Sequence, residues 1–361
     1  MKLTLGKPNS GIALIMVLLV MVAFGILAGR FSYLMKVETT LARNASFYPE
    51  LEWIGRSGIE QARYVLSQGM IGPGAMVDAL NQKWAGGLGD TNSILAMLPM
   101  QDVELGGGKF SLKITDLDRK FNINVANPFL LRQALNMVGV DASLTGTIVD
   151  SIVDWRDDNP GTEMSGAESD DYLALPNPGN PPYRAKNGPF DDITELLLVR
   201  GVTPAMFWGS SANTYASTFA AVRPASQSRF DEPVYQVGLV DIFTTMSSRF
   251  LNINTASATA LQVIPAIDEN IAAEIVRIRS GPDGFEGNED DTPFRSPNEL
   301  FAFIPAFDPA ITAQIGQILS VKSEVFEARV DVQAGDMRRE YVAIIRRTNP
   351  RDVQVLSMYW R

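Results

Sequence analysis

The chain has 361 residues, with 41 acidic side chains against 31 basic ones, a net charge of −10, and neither Cys nor His. Without Cys no disulfide can form. Without His the commonest general base and transition-metal ligand are gone, which excludes Ser-His and Cys-His nucleophiles, leaves zinc only carboxylates, and argues against an enzyme. The charge balance argues against a nucleic-acid footprint, which needs excess Lys and Arg.

The first ten residues, "MKLTLGKPNS", carry Lys2 and Lys7 and no acid. Residues 11–29, "GIALIMVLLVMVAFGILAG", then run nineteen residues without a charge. That is long enough to span a bilayer and longer than the apolar part of a secretory signal; the preceding lysines favour a cytoplasmic start. From Arg30 the helical spacing continues through Leu34, Val37, Leu41 and Ala45, then Trp53, Ile59, Ala62 and Leu66. One helix of about 55 residues and ~80 Å is expected, kinked at Pro49 and stopped by "QGMIGPG". The first boundaries are a leader over 1–11 and a helix over 12–68, with 12–29 in the membrane.

Further on, "VELGGGKFSLKITD" reads as a hairpin turning at Gly106–Gly108, with Phe110, Leu112 and Ile114 alternating with polar residues. At the C-terminus "EVFEARVDVQ", "RREYVAIIRRT" and "VQVLSMYWR" are three more alternating runs, split by "AGDM" and "NPRD". Segments 69–125 and 319–361 are expected to build one antiparallel sheet on the long helix, an α+β fold, with 126–318 as a mostly helical insertion. Inside that insertion a pattern occurs twice. "FNINVANPFLLRQAL" leads to "PFDDITELLLVRGVTPAMF", and "LNINTASATALQVI" leads to "PFRSPNELFAFIPAFDPAI". Asn124 and Asn254 are expected to cap helices, as are Asp191 and Asp192. The two copies resemble helix-hairpin-helix (SAM-like) modules, some of which bind DNA in competence proteins. A membrane-anchored DNA-binding protein is therefore the alternative reading. Its weakness is in the hairpins, where Asp141, Asp268 and Glu269 stand where phosphates would come.

Each copy carries an acidic loop before "PF". From Asp154 to Asp171 there are seven carboxylates and one Arg. Charges that dense repel, and a hard cation such as calcium, which takes oxygens from flexible loops, would fold them. The candidate ligands are Asp157, Asp158, Glu163, Glu168, Asp170 and Asp171. Asp154, at the end of a helical run, is expected to cap it or to pair with Arg156.

The leader, Gly11, the apolar half-helix and the amphipathic half-helix together resemble the type IV pilin and pseudopilin superfamily. The resemblance implies cleavage by a prepilin peptidase between Gly11 and Ile12 and methylation of the new N-terminus. Met16 occupies the fifth mature position, where most members have Glu. A carboxylate in hydrocarbon is costly unless paired, and a subunit at a filament tip has no earlier subunit to pair with. "DWRDD", "GAESDDY", "PPYRAKNGPFDDITELLLVRGVTP" and "NINTAS" further resemble the K-type minor pseudopilins of type II secretion systems. That resemblance implies a single-pass inner-membrane protein with its globular part in the periplasm and calcium in the inserted domain. It also implies a heterotrimer with the I- and J-type pseudopilins that caps and initiates a pseudopilus serving protein export, with Met16, Leu34, Val37 and Leu41 packing on partner helices. The chain departs from the family in its long second acidic loop and its shortened Asp-rich segment.

Overall fold

In the computed structural model the described residues are 10–87, 89, 93–174, 181–209, 235–303 and 315–361; the leader before Ser10 lies outside them. Helix α1 (Ser10–Gln68) is one element of 59 residues, which at 1.5 Å per residue is about 88 Å long. It stays helical through Pro49, whose ring is exposed, so the carbonyl left without an N–H partner faces solvent even though neighbouring Phe47 and Glu50 already touch the sheet. Every large apolar side chain from Ile12 to Leu41 is exposed.

Burial begins at Leu51. Leu51, Ile54, Ile59, Ala62, Val65 and Leu66 form a stripe at helical spacing. Trp53 does not join it: at about 100° per residue it falls between Leu51 and Ile54 on the outer side, and it is 70% exposed.

The stripe lies on an antiparallel sheet whose strands, side by side, are β1 (Val103–Leu105), β2 (Gly108–Asp116), β7 (Val325–Ala334), β8 (Met337–Asn349) and β9 (Asp352–Trp360). β1 (Val103–Leu105) and β2 (Gly108–Asp116) form the first hairpin, which turns through Gly106 in the left-handed region. Phe110, Leu112 and Ile114 face the helix, as the alternation predicts.

After β2 the chain enters the inserted domain. Its elements are β3 (Phe121–Asn122), α2 (Pro128–Val138), α3 (Ala142–Arg156), α4 (Ser169–Ala174), α5 (Pro204–Trp208), α6 (Leu239–Ile242), β4 (Phe243–Thr244), β5 (Leu251–Asn252), α7 (Ala258–Leu261), α8 (Glu269–Arg279), α9 (Pro297–Phe303) and β6 (Leu319–Ser320). The sheet resumes with β7 (Val325–Ala334), β8 (Met337–Asn349) and β9 (Asp352–Trp360). β2 and β7 pair from Gly108↔Ala334 to Asp116↔Phe326, so the insertion leaves and returns at adjacent strand ends. A long insertion there breaks no ladder bond, and the two parts keep separate apolar cores.

Corresponding positions of the two sequence copies make the same contacts. Asn124 Oδ1 accepts from Phe190 N–H at 2.7 Å while its Nδ2 donates to Phe190 O at 3.0 Å; Asn254 grips Phe294 in the same way at 2.9 and 2.9 Å. Arg156 donates to Ile123 O and Arg279 to Ile253 O, each at 2.5 Å. Asn124 and Asn254 are therefore not the helix caps that the sequence led us to expect. Each stands in for a strand partner, and the caps are Asn127 on α2 and Ser257 on α7. Asp192 does cap the short 3₁₀ helix Ile193–Leu198, whereas Asp191 pairs with Lys186.

Candidate cation site in the inserted domain

α3 ends in the acidic loop and delivers Asp154 into it. Asp154 is fully buried. Its Oδ1 accepts from Glu163 N–H at 3.0 Å; its Oδ2 has no partner. Gly166 passes so close to this carboxylate that any side chain there would collide with it. Burial pushes the Asp154 pKa up to about 6, with the charges of Glu168 and Asp157 adding to it and backbone N–H bonds from Glu163 and Ala167 opposing. The sequence expectation for Asp154 is thus replaced: it neither caps α3 nor pairs with Arg156, which donates to Ile123 O instead.

Asp157 forms the C-cap of α3. Its Oδ2 accepts from Asn159 Nδ2 at 2.8 Å and its Oδ1 is buried without a donor. Glu168 is only 6% exposed; its Oε2 accepts from Asn187 Nδ2 at 3.1 Å and its Oε1 is likewise orphaned. Asn187 also donates to Asn159 O at 3.1 Å, which leaves its own Oδ1 buried and unpartnered. Asn187 holds a left-handed φ of 47°, a conformation uncommon outside glycine, which turns its amide back toward the loop. A hydrogen-bonded chain from Asp157 through Asn159 and Asn187 to Glu168 therefore carries three orphaned carboxylate or amide oxygens, and Asp154 adds a fourth in the same loop.

The other candidates have different roles. Asp171 accepts from Glu168 N–H at 3.1 Å and faces Arg200 at 3.6 Å, at the start of α4. Glu163 lies in the loop through its backbone, its side chain exposed. Asp158 and Asp170 are exposed. Asp154 and Asn187 were not among the sequence candidates. The signal for Asn187 was faint, an amide in "RAKNGPF" well outside the acidic run.

Among the described residues no three His, Cys, Asp or Glu side chains converge closely enough to make a metal centre on their own. The donors here are a mixed set: three carboxylate oxygens and one amide oxygen, buried and lacking hydrogen-bond donors. A buried acceptor without a partner is costly, and an oxygen-only mixed set matches the ligand chemistry of calcium. Asp154, Asp157, Glu168 and Asn187 are the residues that would supply oxygens to such an ion. Behind them, Trp155 packs edge-on to Tyr172 and stacks on Phe190, so the loop is backed by a rigid aromatic cluster.

The second acidic loop also leaves one buried carboxylate oxygen, Asp291 Oδ1, without a donor, but it has a counter-charge. Arg279, 4% exposed, binds Glu286 at 2.5 Å, so the loop carries its own buried cation.

Residues 112–208 match the family model for the first domain of type II secretion system protein K. The chain is 24% identical over 97% of its length to type II secretion system protein K of Pseudomonas aeruginosa, 92% of which is covered. It is also 24% identical over 48% of its length to the protein K of Pectobacterium carotovorum, of which 60% is covered. A chain in the crystal structure of the GspK-GspI-GspJ complex from the enterotoxigenic Escherichia coli type 2 secretion system shares the fold. The TM-score is 0.62 and the identity 18%, with 89% of this chain and 99% of that one covered.

Proposed function

We propose that this chain, which carries the protein K domain over residues 112–208, is a K-type minor pseudopilin at the tip of a type II secretion pseudopilus. It would assemble there with I- and J-type pseudopilins, as the related complex does, and take part in protein export without catalysing a reaction. The observation that carries this reading is α1. Its first half is long and apolar enough to cross a membrane and is wholly exposed, so it is built for lipid or for neighbouring helices. The insertion supports a terminal position, because it adds to one end of the sheet a second body with its own core, bulk that a filament shaft would have to accommodate at every subunit. Met16, uncharged, fits a subunit with no earlier neighbour.

By this reading a prepilin peptidase cuts between Gly11 and Ile12 on the cytoplasmic side, the new N-terminus is methylated, and the globular part lies in the periplasm. Calcium, held by Asp154, Asp157, Glu168 and Asn187, would supply the positive charge that lets the acidic loop close. The DNA-binding alternative is disfavoured by two caps. Asp141 accepts from Ser143 N–H and Asp268 from Ile271 N–H, each at 2.8 Å, at the helix starts where phosphates would have to sit.

The test is to express the full chain with its peptidase and the I- and J-type pseudopilins, isolate it from membranes and weigh it. A methylated Ile12 N-terminus in a three-subunit complex is expected. A start near Arg30, or salt-dependent binding to duplex DNA, would overturn the reading.

A further inference from the structure

One helix cannot cover a five-stranded sheet. Strands lie about 4.8 Å apart, so the outer strands are about 19 Å apart, whereas a helix with its side chains is about 10–12 Å across. α1 lies chiefly over β2, β7 and β8, reaching β9 where Arg63 donates to Val353 O, and seats Gly55 and Gly58 against Tyr341 and Val330. The register puts Trp360, Met358 and Val355 of β9 on the same face, opposite Tyr341, Ala343 and Ile345. Their β8 neighbours are buried; these three are exposed, Trp360 by 61%.

The open strip and the flank of α1 form a trough. It is closed at one end, where Val353 is buried and its carbonyl accepts from Arg63 at 3.0 Å. It is open at the other, where a hollow of about 420 Å³ lies between Tyr48, Trp53 and Arg339. The Arg339 guanidinium sits 4.2 Å from the Trp360 ring centre and 5.2 Å from that of Tyr48, joining strand to helix. Nearby Arg56 is paired with Glu52, Arg338 with Asp331 and Arg361 with Glu340. Arg339 alone of these four has no carboxylate among the described residues.

We propose that this trough receives the amphipathic part of a partner subunit's long helix, lying alongside α1; this rests on the pseudopilin reading. Three features select that occupant. The uncovered strip is one helix wide. From Val353 to Trp360 it runs about 23 Å, roughly four helical turns. It opens at Tyr48, the end from which the exposed half of α1 runs on toward Ile12, so a helix bundled beside that half enters the trough directly. The occupant lays an apolar stripe on Trp360, Met358 and Val355 and sets an acidic side chain on Arg339.

The absence of Cys makes the test direct. Met358→Cys, and separately Ser57→Cys on the outer side of α1, are paired with single cysteines along the partner pseudopilins' helices in membranes holding the assembled system. Disulfides from Met358→Cys to a partner helix are expected. Arg339→Glu and Trp360→Ala should each reduce the partner recovered with the full chain by about tenfold, with the melting temperature of the isolated chain checked in parallel. Partner crosslinks from Ser57→Cys alone, unchanged recovery in both folded variants, or a Met358→Cys disulfide between two copies of this chain would overturn the proposal while leaving the pseudopilin reading intact. If the unmodified chain recovers no pseudopilin at all, both fall.

Discussion

Arg347 and Asp78 meet at 2.6 Å with their side chains 1% and 4% exposed. The same guanidinium holds Leu66 O in the last turn of α1 and Ser323 O where the insertion returns, and it lies over the Phe326 ring. Asp116 and Asp118, at the exit into the insertion, are buried beside it. One polar cluster thus ties the helix end, the sheet and both crossings to the inserted domain.

Breaking one side of a buried pair leaves an uncompensated charge, which costs about 3–5 kcal/mol, whereas replacing both partners by apolar groups is close to neutral. Asp78→Ala should therefore lower the unfolding free energy of the full chain by about 3–5 kcal/mol in urea, and Asp78→Leu with Arg347→Met by much less. A single variant as stable as the parent would show that the pair is not what secures the junction.

The cluster also sets a pH dependence. Burial, then the charge of Asp118, pushes Asp116 up to about 7, despite hydrogen bonds from Ser323 and Thr255; burial pushes Asp118 up as well. A carboxylate whose folded pKa is raised binds its proton more tightly folded than unfolded. Its stabilising contribution is complete below the unfolded pKa, near 3.9, and is lost as pH rises through the folded value. The urea midpoint should fall between pH 5 and pH 8. Asp116→Asn should flatten that slope and be the more stable protein at pH 8. A midpoint rising over this range in the parent would contradict the assignment.

Calcium dependence should divide the acidic loop in two. At a hundredfold excess over its dissociation constant, an ion bound only by the folded state adds about 2.7 kcal/mol. Calcium should raise the melting temperature of the parent and chelation should reverse it. Asp154→Asn and Glu168→Gln should abolish the difference, and Asp158→Asn and Asp170→Asn should retain it. Scanning fluorimetry with calcium or chelator separates these outcomes, and equal losses in all four variants would point to general charge repulsion instead.

Gly55 should resist improvement. Alanine is the better helix former by about 1 kcal/mol, but a Cβ at this position would run into the Tyr341 ring. Gly55→Ala is expected to lose about 1–3 kcal/mol by displacing Tyr341, and Gly55→Ala with Tyr341→Val to recover part of it, read by thermal unfolding.

Much of the fold was legible because its signals are local. A 3.6-residue stripe marks Leu51 to Leu66, and period-two alternation marks Phe110 to Ile114 and the three C-terminal strands. The glycine turn at Gly106 shows in the sequence without reference to anything distant. The acidic loop was legible as charge density, and Asp157 and Glu168 lie where that density pointed. Trp53 misled because two interleaved helical stripes give similar spacings, and only the position of the sheet decides which is buried.

The sequence by itself determined that a long apolar-then-amphipathic helix precedes an antiparallel sheet split by a helical insertion, since those properties follow from backbone periodicity along the chain. Tertiary structure alone decided which polar groups do structural or binding work. Asn124 grips Phe190, Asn187 reaches back to Glu168, Arg347 finds Asp78, and Arg339 lies between Tyr48 and Trp360. Each of these depends on which side chains, dozens to hundreds of residues apart or on different elements, are carried to one place and shielded from water there. No local pattern encodes that, because the same Asn, Arg or Asp is equally at home in solvent until a partner excludes it.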